Sequence, residues 1–293
     1  MLNQHLHNIS NGNLSCTICE IGAEIVSLKS MKTECEYLWQ NDTNVWSGSA
    51  PILFPIVGRL NTGKYTIEGK EYTLPTHGFA RSEHFKVKQQ CESSITFSLN
   101  ENKSTLKVYP FKFQLNVTFT LEEQSLLVTY QVINQDSSAL YFAIGSHPAF
   151  ALPPTEFSEG KCKLLFSEQE NNYCCLIKND LLSDDQHPVA LIDKSLVLTP
   201  KLFEQDALIF RDINSSTITL AVNEQAILSV DTGNNKHLGL WAKPNSPYAC
   251  IEPWISTDET GKTPLELKDK PDLTCLLAGE KTENNYRINI LNN

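Results

Sequence analysis

The sequence predicts an all-β protein, on three observations. Apolar and polar residues alternate with a period of two over long runs, those runs are bounded by Asn, Asp, Gly or Ser, and helical periodicity is weak throughout. Many short strands with turn signals and little helix fold as an antiparallel sandwich or barrel. No internal repeat, low-complexity tract or Pro/Gly/Ser-rich linker interrupts the 293 residues, so one large domain spanning 1–293 is expected.

The elements follow in order. NLSCTICEI, from Asn13, reads as a strand. Two short strand-like runs in KYTIEGKEYTLP, from Lys64, join through a turn containing Gly69. Ile95–Leu99 alternates. Phe113, Leu115, Val117, Phe119 and Leu121 alternate with polar residues over ten positions, and Leu126, Val128, Tyr130 and Val132 repeat the pattern after a polar EEQS turn, which together make a long hairpin. Shorter alternations recur at Ile218–Val222, Ala226–Val230, His237–Trp241 and Tyr286–Ile290. The candidates for short helices are Lys103–Val108 and Pro200–Gln205, the latter with Pro in a first turn.

Composition narrows the function classes. Net charge is −10 and the pI about 5.2, so the surface repels phosphate backbones and nucleic acid is not an expected partner. No apolar run approaches the roughly 20 residues that span a bilayer. The stretch MLNQHLHNISNGNLSC carries no basic segment followed by an apolar one, so no export signal is expected. Nine cysteines, an odd number, then read as reduced thiols in a cytoplasm. Cys16 and Cys19 form a CxxC, but three residues apart on a strand point to opposite faces, which argues against zinc or redox roles. Cys174–Cys175 reads as structural. The scattered histidines offer no zinc constellation.

Candidate site residues fall in four stretches. PILFPIVGRLNTGKYTIEGKEYTLPTHGFARSEHF, from Pro51 to Phe85, holds two of four arginines, Arg59 and Arg81, and two of seven histidines, His77 and His84. Its hairpin folds the chain back, so Arg59 and His77 can meet. Arg offers a rigid donor fork and His a switchable donor or acceptor, a set suited to a polyhydroxylated ligand. Incidental charges on a surface hairpin are the plainer alternative. In AIGSHPAFALP, His147 follows a strand-like segment and precedes Pro148, at a strand end beside small residues, facing a cleft or buried against backbone groups. In YACIEPWISTDE, Glu252 sits in an otherwise apolar strand. Partial burial would raise its pKa and make it a base near neutrality, whereas Pro253 is compatible with an exposed edge strand. Trp254 could stack on a sugar ring or belong to the core. Asp206, in LFEQDALIF, could accept from hydroxyls or cap a turn. There is no Gly-rich phosphate loop, GxSxG, HExxH or EF-hand spacing.

Six segments, APILFPIVGRL, LPTHGFAR, VYPFKFQL, GSHPAFALP, DALIF and CIEPWISTDE, run in one order from residue 50 to about 260. Together they resemble the aldose 1-epimerase (galactose mutarotase-like) superfamily, and within it the LacX-like bacterial branch. The resemblance implies a large antiparallel β-sandwich whose concave face binds sugar. It implies cofactor-independent interconversion of aldose anomers, without metal, by a monomer or homodimer. Glu252 matches the family's general base and His147 its general acid. His77 and Arg59 match the residues that hold the ring oxygen and neighbouring hydroxyls, and Asp206 an aspartate that binds hydroxyls. Galactose mutarotases typically carry ANR and HGG where this chain has VGRL and HGFAR, which bears on sugar specificity. HGFAR also occurs in the hexose-6-phosphate epimerase branch, where Arg81 with a lysine such as Lys243 would contact phosphate. The mechanism implied needs Glu252 ionised and His147 protonated, with a raised Glu pKa and a His pKa near or above neutrality. A non-catalytic sugar-binding module, and a glycosidase pairing Glu252 with Asp206 or Asp258, are the competing classes.

Overall fold

The computed structural model describes residues 6–261 and 265–291; residues 1–5, part of the stretch read for an export signal, lie outside these. Two antiparallel sheets carry the fold. The larger has nine strands in the order Ser195–Leu198, Cys162–Phe166, Thr217–Val222, Gln225–Asp231, Lys281–Ile290, Ser125–Asn134, Phe113–Glu122, Ser94–Asn100 and Lys86–Gln90. The smaller runs Leu208–Phe210, His237–Trp241, Tyr248–Trp254, Gly145–Ser146 and Ile52–Leu53, with Ala149–Ala151 also paired to Tyr248–Trp254.

The long hairpin forms as its pattern predicts. Leu121 pairs with Leu126 and Val117 with Tyr130, and Glu123 takes a left-handed φ of 49° in the connecting turn. Burial alternates along both strands, with Phe113, Leu115, Val117, Phe119, Leu121, Leu126, Val128, Tyr130 and Val132 buried and most of the residues between them partly exposed, the pattern of a sheet with one covered face. The two sheets meet through aromatic pairs: Phe54 lies 5.1 Å from Phe113, and Phe210 lies 5.6 Å from Phe166, between ring centroids. Such pairs add to the burial that holds a sandwich together.

Two sequence expectations change. Residues 200–205 are not helical. Leu202 N–H donates to Thr199 O, Glu204 N–H to Lys201 O and Asp206 N–H to Phe203 O, a succession of four-residue β-turns. Asp206 ends it at φ 77°, left-handed, which no helix continues through. The edge reading of the Glu252 strand also fails: Tyr248–Trp254 is interior, flanked by His237–Trp241 on one side and by Gly145–Ser146 and Ala149–Ala151 on the other. Pro253 is tolerated because it falls between those two short partners, where the ladder on that side is interrupted. The other expected helix appears as Thr105–Val108, and a second short one forms at Pro154–Ser158. Among the described residues no helix is long and apolar enough to cross a membrane.

Candidate active site

Alternation along Tyr248–Trp254 builds the site. Ile251 joins the main core, whereas Glu252 and Trp254 line a cavity of about 180 Å³. Trp241, from the neighbouring strand, lines it too. His147 enters directly after Gly145–Ser146, and Arg59, His77, Arg81 and Asp206 complete the polar wall. Arg59, His77, Arg81, His147, Asp206, Glu252 and Trp254 therefore meet in one cavity. His84 does not: its Nε2 lies 2.9 Å from Glu20. Lys243 does not line it either, and its ammonium donates to the Val45 carbonyl at 2.7 Å.

Trp254 is 2 % exposed and lies across the sheet, its indole N–H donating to Ser146 O at 3.2 Å. Two glycines make room for it. A Cβ at Gly239 or at Gly145 would come within 2.6 Å of the indole. Gly239→Ala is expected to cost about 1–3 kcal/mol, as overpacked cores do, and to displace the ring beneath the cavity. Urea denaturation monitored by fluorescence checks this; an unchanged midpoint would show that the indole yields freely.

Glu252 and His147 are in contact at the base of the cavity. His147 Nε2 lies 3.3 Å from Glu252 Oε2, with both side chains buried. The contact is not aligned as a hydrogen bond, and Glu252 Oε2 and His147 Nδ1 have no hydrogen-bond partner among the described residues. Buried polar atoms are rarely left so. Burial, with Asp258 adding to it, pushes the Glu252 carboxyl well above the usual range. Burial and the Arg81 guanidinium push His147 down. The first shift agrees with the sequence expectation. The second corrects it: His147 is not held near or above neutrality. Trp46, stacked at 5.2 Å, and Trp241, edge-on at 5.7 Å, take water from the imidazole. These opposed shifts favour a proton shared by the pair residing on Glu252 rather than on His147.

His77 has a defined tautomer. Its Nδ1 accepts the Gly58 N–H at 3.0 Å, so the neutral ring carries its proton on Nε2 and offers a donor. Burial first, then the nearby His147, Arg81 and Arg59, hold its pKa well below the usual value, which keeps it neutral. Its φ of 65° places the ring.

Arg59 is clamped by two carboxylates. One guanidinium nitrogen is 3.0 Å from Asp206 Oδ2 and the other 3.5 Å from Asp258 Oδ1, which also accepts the Arg59 backbone N–H at 2.8 Å. Burial nonetheless raises the Asp258 carboxyl above its ordinary value, outweighing the guanidinium. Asp206 makes a local backbone contact at the end of its turns, its Oδ1 accepting the Ala207 N–H at 3.0 Å, while its Oδ2 is taken by Arg59. The VGRL string has a steric basis here: Gly58 has φ 74°, and a Cβ on it would lie 2.4 Å from the Asp258 carboxyl carbon.

Sequence reasoning missed Trp46 and Trp241 as lining residues and raised Asp258 only as a glycosidase partner. Trp46 arrives on a loop after Asp42, where no periodicity marks it. Cys250 was also unforeseen near the pair: its sulfur, a His147 nitrogen and a Glu252 oxygen lie within 4.8 Å of one another, a geometry a metal ion could use. Burial and Glu252 push that thiol well up, away from the thiolate that metals bind.

Comparisons with known proteins bear on the family and the fold. A model of the aldose 1-epimerase family matches residues 5–289. The LacX protein encoded on a plasmid of Lactococcus lactis subsp. lactis is 34% identical over 298 residues, covering 97% of this chain and 99% of that protein. A galactose mutarotase related enzyme from Lactobacillus acidophilus superposes with a TM-score of 0.92 at 31% identity, over 98% of this chain and 97% of its own. A galactose mutarotase-like protein from Lactobacillus casei gives 0.91 at 28%, over 98% and 100%. With the family matched along nearly the whole sequence and the sandwich shared, this chain belongs to the aldose 1-epimerase family.

Proposed function

We propose that the chain interconverts the α and β anomers of a free hexose by acid–base opening and closing of the ring, without a cofactor. The observation that carries this reading is the buried contact between Glu252 and His147, each with an unsatisfied polar atom, at the base of a cavity of sugar-ring size. A binding module has no use for an acid–base pair held at such a desolvation cost. A glycosidase needs a second free carboxyl, and Asp206 and Asp258 are both engaged with Arg59.

Opening requires a base at the anomeric hydroxyl and an acid at the ring oxygen. With sugar bound, the shared proton moves to His147. Glu252 then takes the proton of the anomeric hydroxyl as His147 delivers its own to the ring oxygen, and the C1–O5 bond breaks to give the aldehyde. Rotation about C1–C2 presents the other carbonyl face. Glu252, now the acid, returns a proton to O1 while His147 removes one from O5. One proton therefore serves both directions. His77 Nε2–H and the Arg59 fork are fixed donors for charge growing on the sugar oxygens. Arg81, with no ion pair among the described residues, remains available to a hydroxyl.

The phosphosugar reading has less support, since no lysine lines the cavity among the described residues. We place the activity in a reducing cytoplasm, a reading that the nine unpaired cysteines favour.

The pH dependence follows from the shared proton. A second proton on the pair stops the cycle, and because the His147 pKa is depressed this happens only well below about pH 6.5, the ordinary histidine value. Loss of the last proton occurs only as pH rises through the elevated Glu252 value. Stopped polarimetry of freshly dissolved α-D-glucose and α-D-galactose should show catalysed equilibration that holds as pH falls from 8 to 6. An acid limb at or above about 6.5 would contradict the assignment, and no catalysis of any anomer would remove the function.

A further inference from the structure

The segment that grips Arg59 is itself held by a buried lysine. Residues 258 and 259 take Arg59 on both sides of its backbone. Asp258 Oδ1 accepts the Arg59 N–H at 2.8 Å, and the Glu259 N–H donates to Arg59 O at 2.9 Å. Glu259 Oε2 also accepts the Asn61 N–H at 2.7 Å. Lys270 is buried, and its ammonium donates to the carbonyl of Thr257, the residue directly before Asp258. It follows a short 3₁₀ turn, Leu267–Asp269, which the buried Leu267 anchors. Next to it, Pro271 O accepts from the Ser256 hydroxyl at 3.0 Å. Two cross-links therefore tie residues 270 and 271 to residues 256 and 257.

We propose that Lys270 is a positioning residue for the sugar site: through Thr257 and Asp258 it sets the Arg59 guanidinium against the sugar. The inference rests on the epimerase reading for its effect on turnover, and on sugar binding alone for the rest. Lys270 does not line the cavity, so its influence on a sugar passes through the residues it holds. A buried ammonium is costly, and such groups are kept where partners offset the lost water. Burial lowers this one to about 8, against the pull of Asp258, Glu259 and Asp272, so it is charged at neutral pH. Asp272 is already engaged, by Lys236 at 3.1 Å and His237 at 3.3 Å. The Lys270 charge is thereby left to the two carboxylates that grip Arg59, and it favours the ionised form of Asp258 as Arg59 does. Without it, two buried carboxylates face one guanidinium. A proton taken up by Asp258 to relieve them removes the charge that draws the guanidinium into its clamp.

The test measures binding of equilibrated glucose and galactose by titration calorimetry, and kcat/KM by polarimetry, at pH 7. The proteins are the wild type, Lys270→Met, Lys270→Gln, Asp258→Asn, and each Lys270 variant combined with Asp258→Asn. Circular dichroism selects the folded ones, and two replacements guard against one failing to fold. In the wild-type background, loss of the ammonium should weaken sugar binding and lower kcat/KM by at least about tenfold, equivalent to about 1.4 kcal/mol. With Asp258→Asn already present, the same loss should cost no more than about twofold, because the carboxylate that the ammonium balances is gone. A lysine that only supports the fold costs the same in both backgrounds, so equal losses would overturn the proposal. A folded Lys270→Met or Lys270→Gln within about twofold of the wild type would overturn it as well. If the wild type binds sugar and turns none over, the epimerase reading fails, and the same comparison of binding alone decides the role of Lys270. If the wild type binds no sugar, both readings fall.

Discussion

Replacing Glu252 with Gln is expected to lower kcat for mutarotation by about 10²–10⁴-fold, the usual worth of one positioned proton-transfer group, with sugar binding retained. The amide keeps the size of the carboxyl and removes its proton chemistry. His147→Asn should do the same, because neither group can cycle a proton alone. The double variant should be scarcely worse than either single one, since residues acting as a unit are not additive. The check is polarimetry together with titration calorimetry on each variant. Near-wild-type turnover in either single variant would take that residue out of the chemistry. A multiplicative loss in the double variant would mean that the two act independently, against a shared proton.

Replacing Arg59 with Met is expected to damage both stability and catalysis. Asp258 is nearly inaccessible and would be left without its guanidinium. Stranding a buried carboxylate typically costs about 3–5 kcal/mol. The lower end applies here, because the Arg59 side chain is 28% exposed and water can reach the gap. Catalysis should fall further than folding, since the fork also steadies charge on the sugar. Adding Asp258→Asn should recover much of the stability and little of the activity. Urea denaturation with polarimetry separates the two effects. Full recovery of activity in the double variant would assign Arg59 a purely structural role.

The long hairpin was legible because one-sided burial writes itself as alternation, residue by residue, from Phe113 to Asn134. Glu252 was legible for the opposite reason, as a carboxylate where the pattern calls for an apolar residue. The turns at 200–205 were not, since a run of four-residue β-turns and a short helix begin with the same residue types. The interior place of Tyr248–Trp254 was hidden because Pro253 mimics an edge, and only the break between two short partner strands explains it. The loop carrying Trp46 leaves no periodic trace, and the clamp on Arg59 joins residues about 200 positions apart, 59 and 258, which no local pattern records. The depressed His147 pKa needed the three-dimensional enclosure by two tryptophans, so the sequence expectation for that group had the wrong sign.

Equilibration of glucose labelled with ¹⁸O at the anomeric position, followed by NMR in the presence of the wild-type protein, tests acid–base ring opening most directly. The account predicts that the anomers exchange faster than in buffer while the label stays on C1, because O1 never leaves that carbon. Exchange at the buffer rate, or loss of label at each turnover as when water attacks C1, would contradict it.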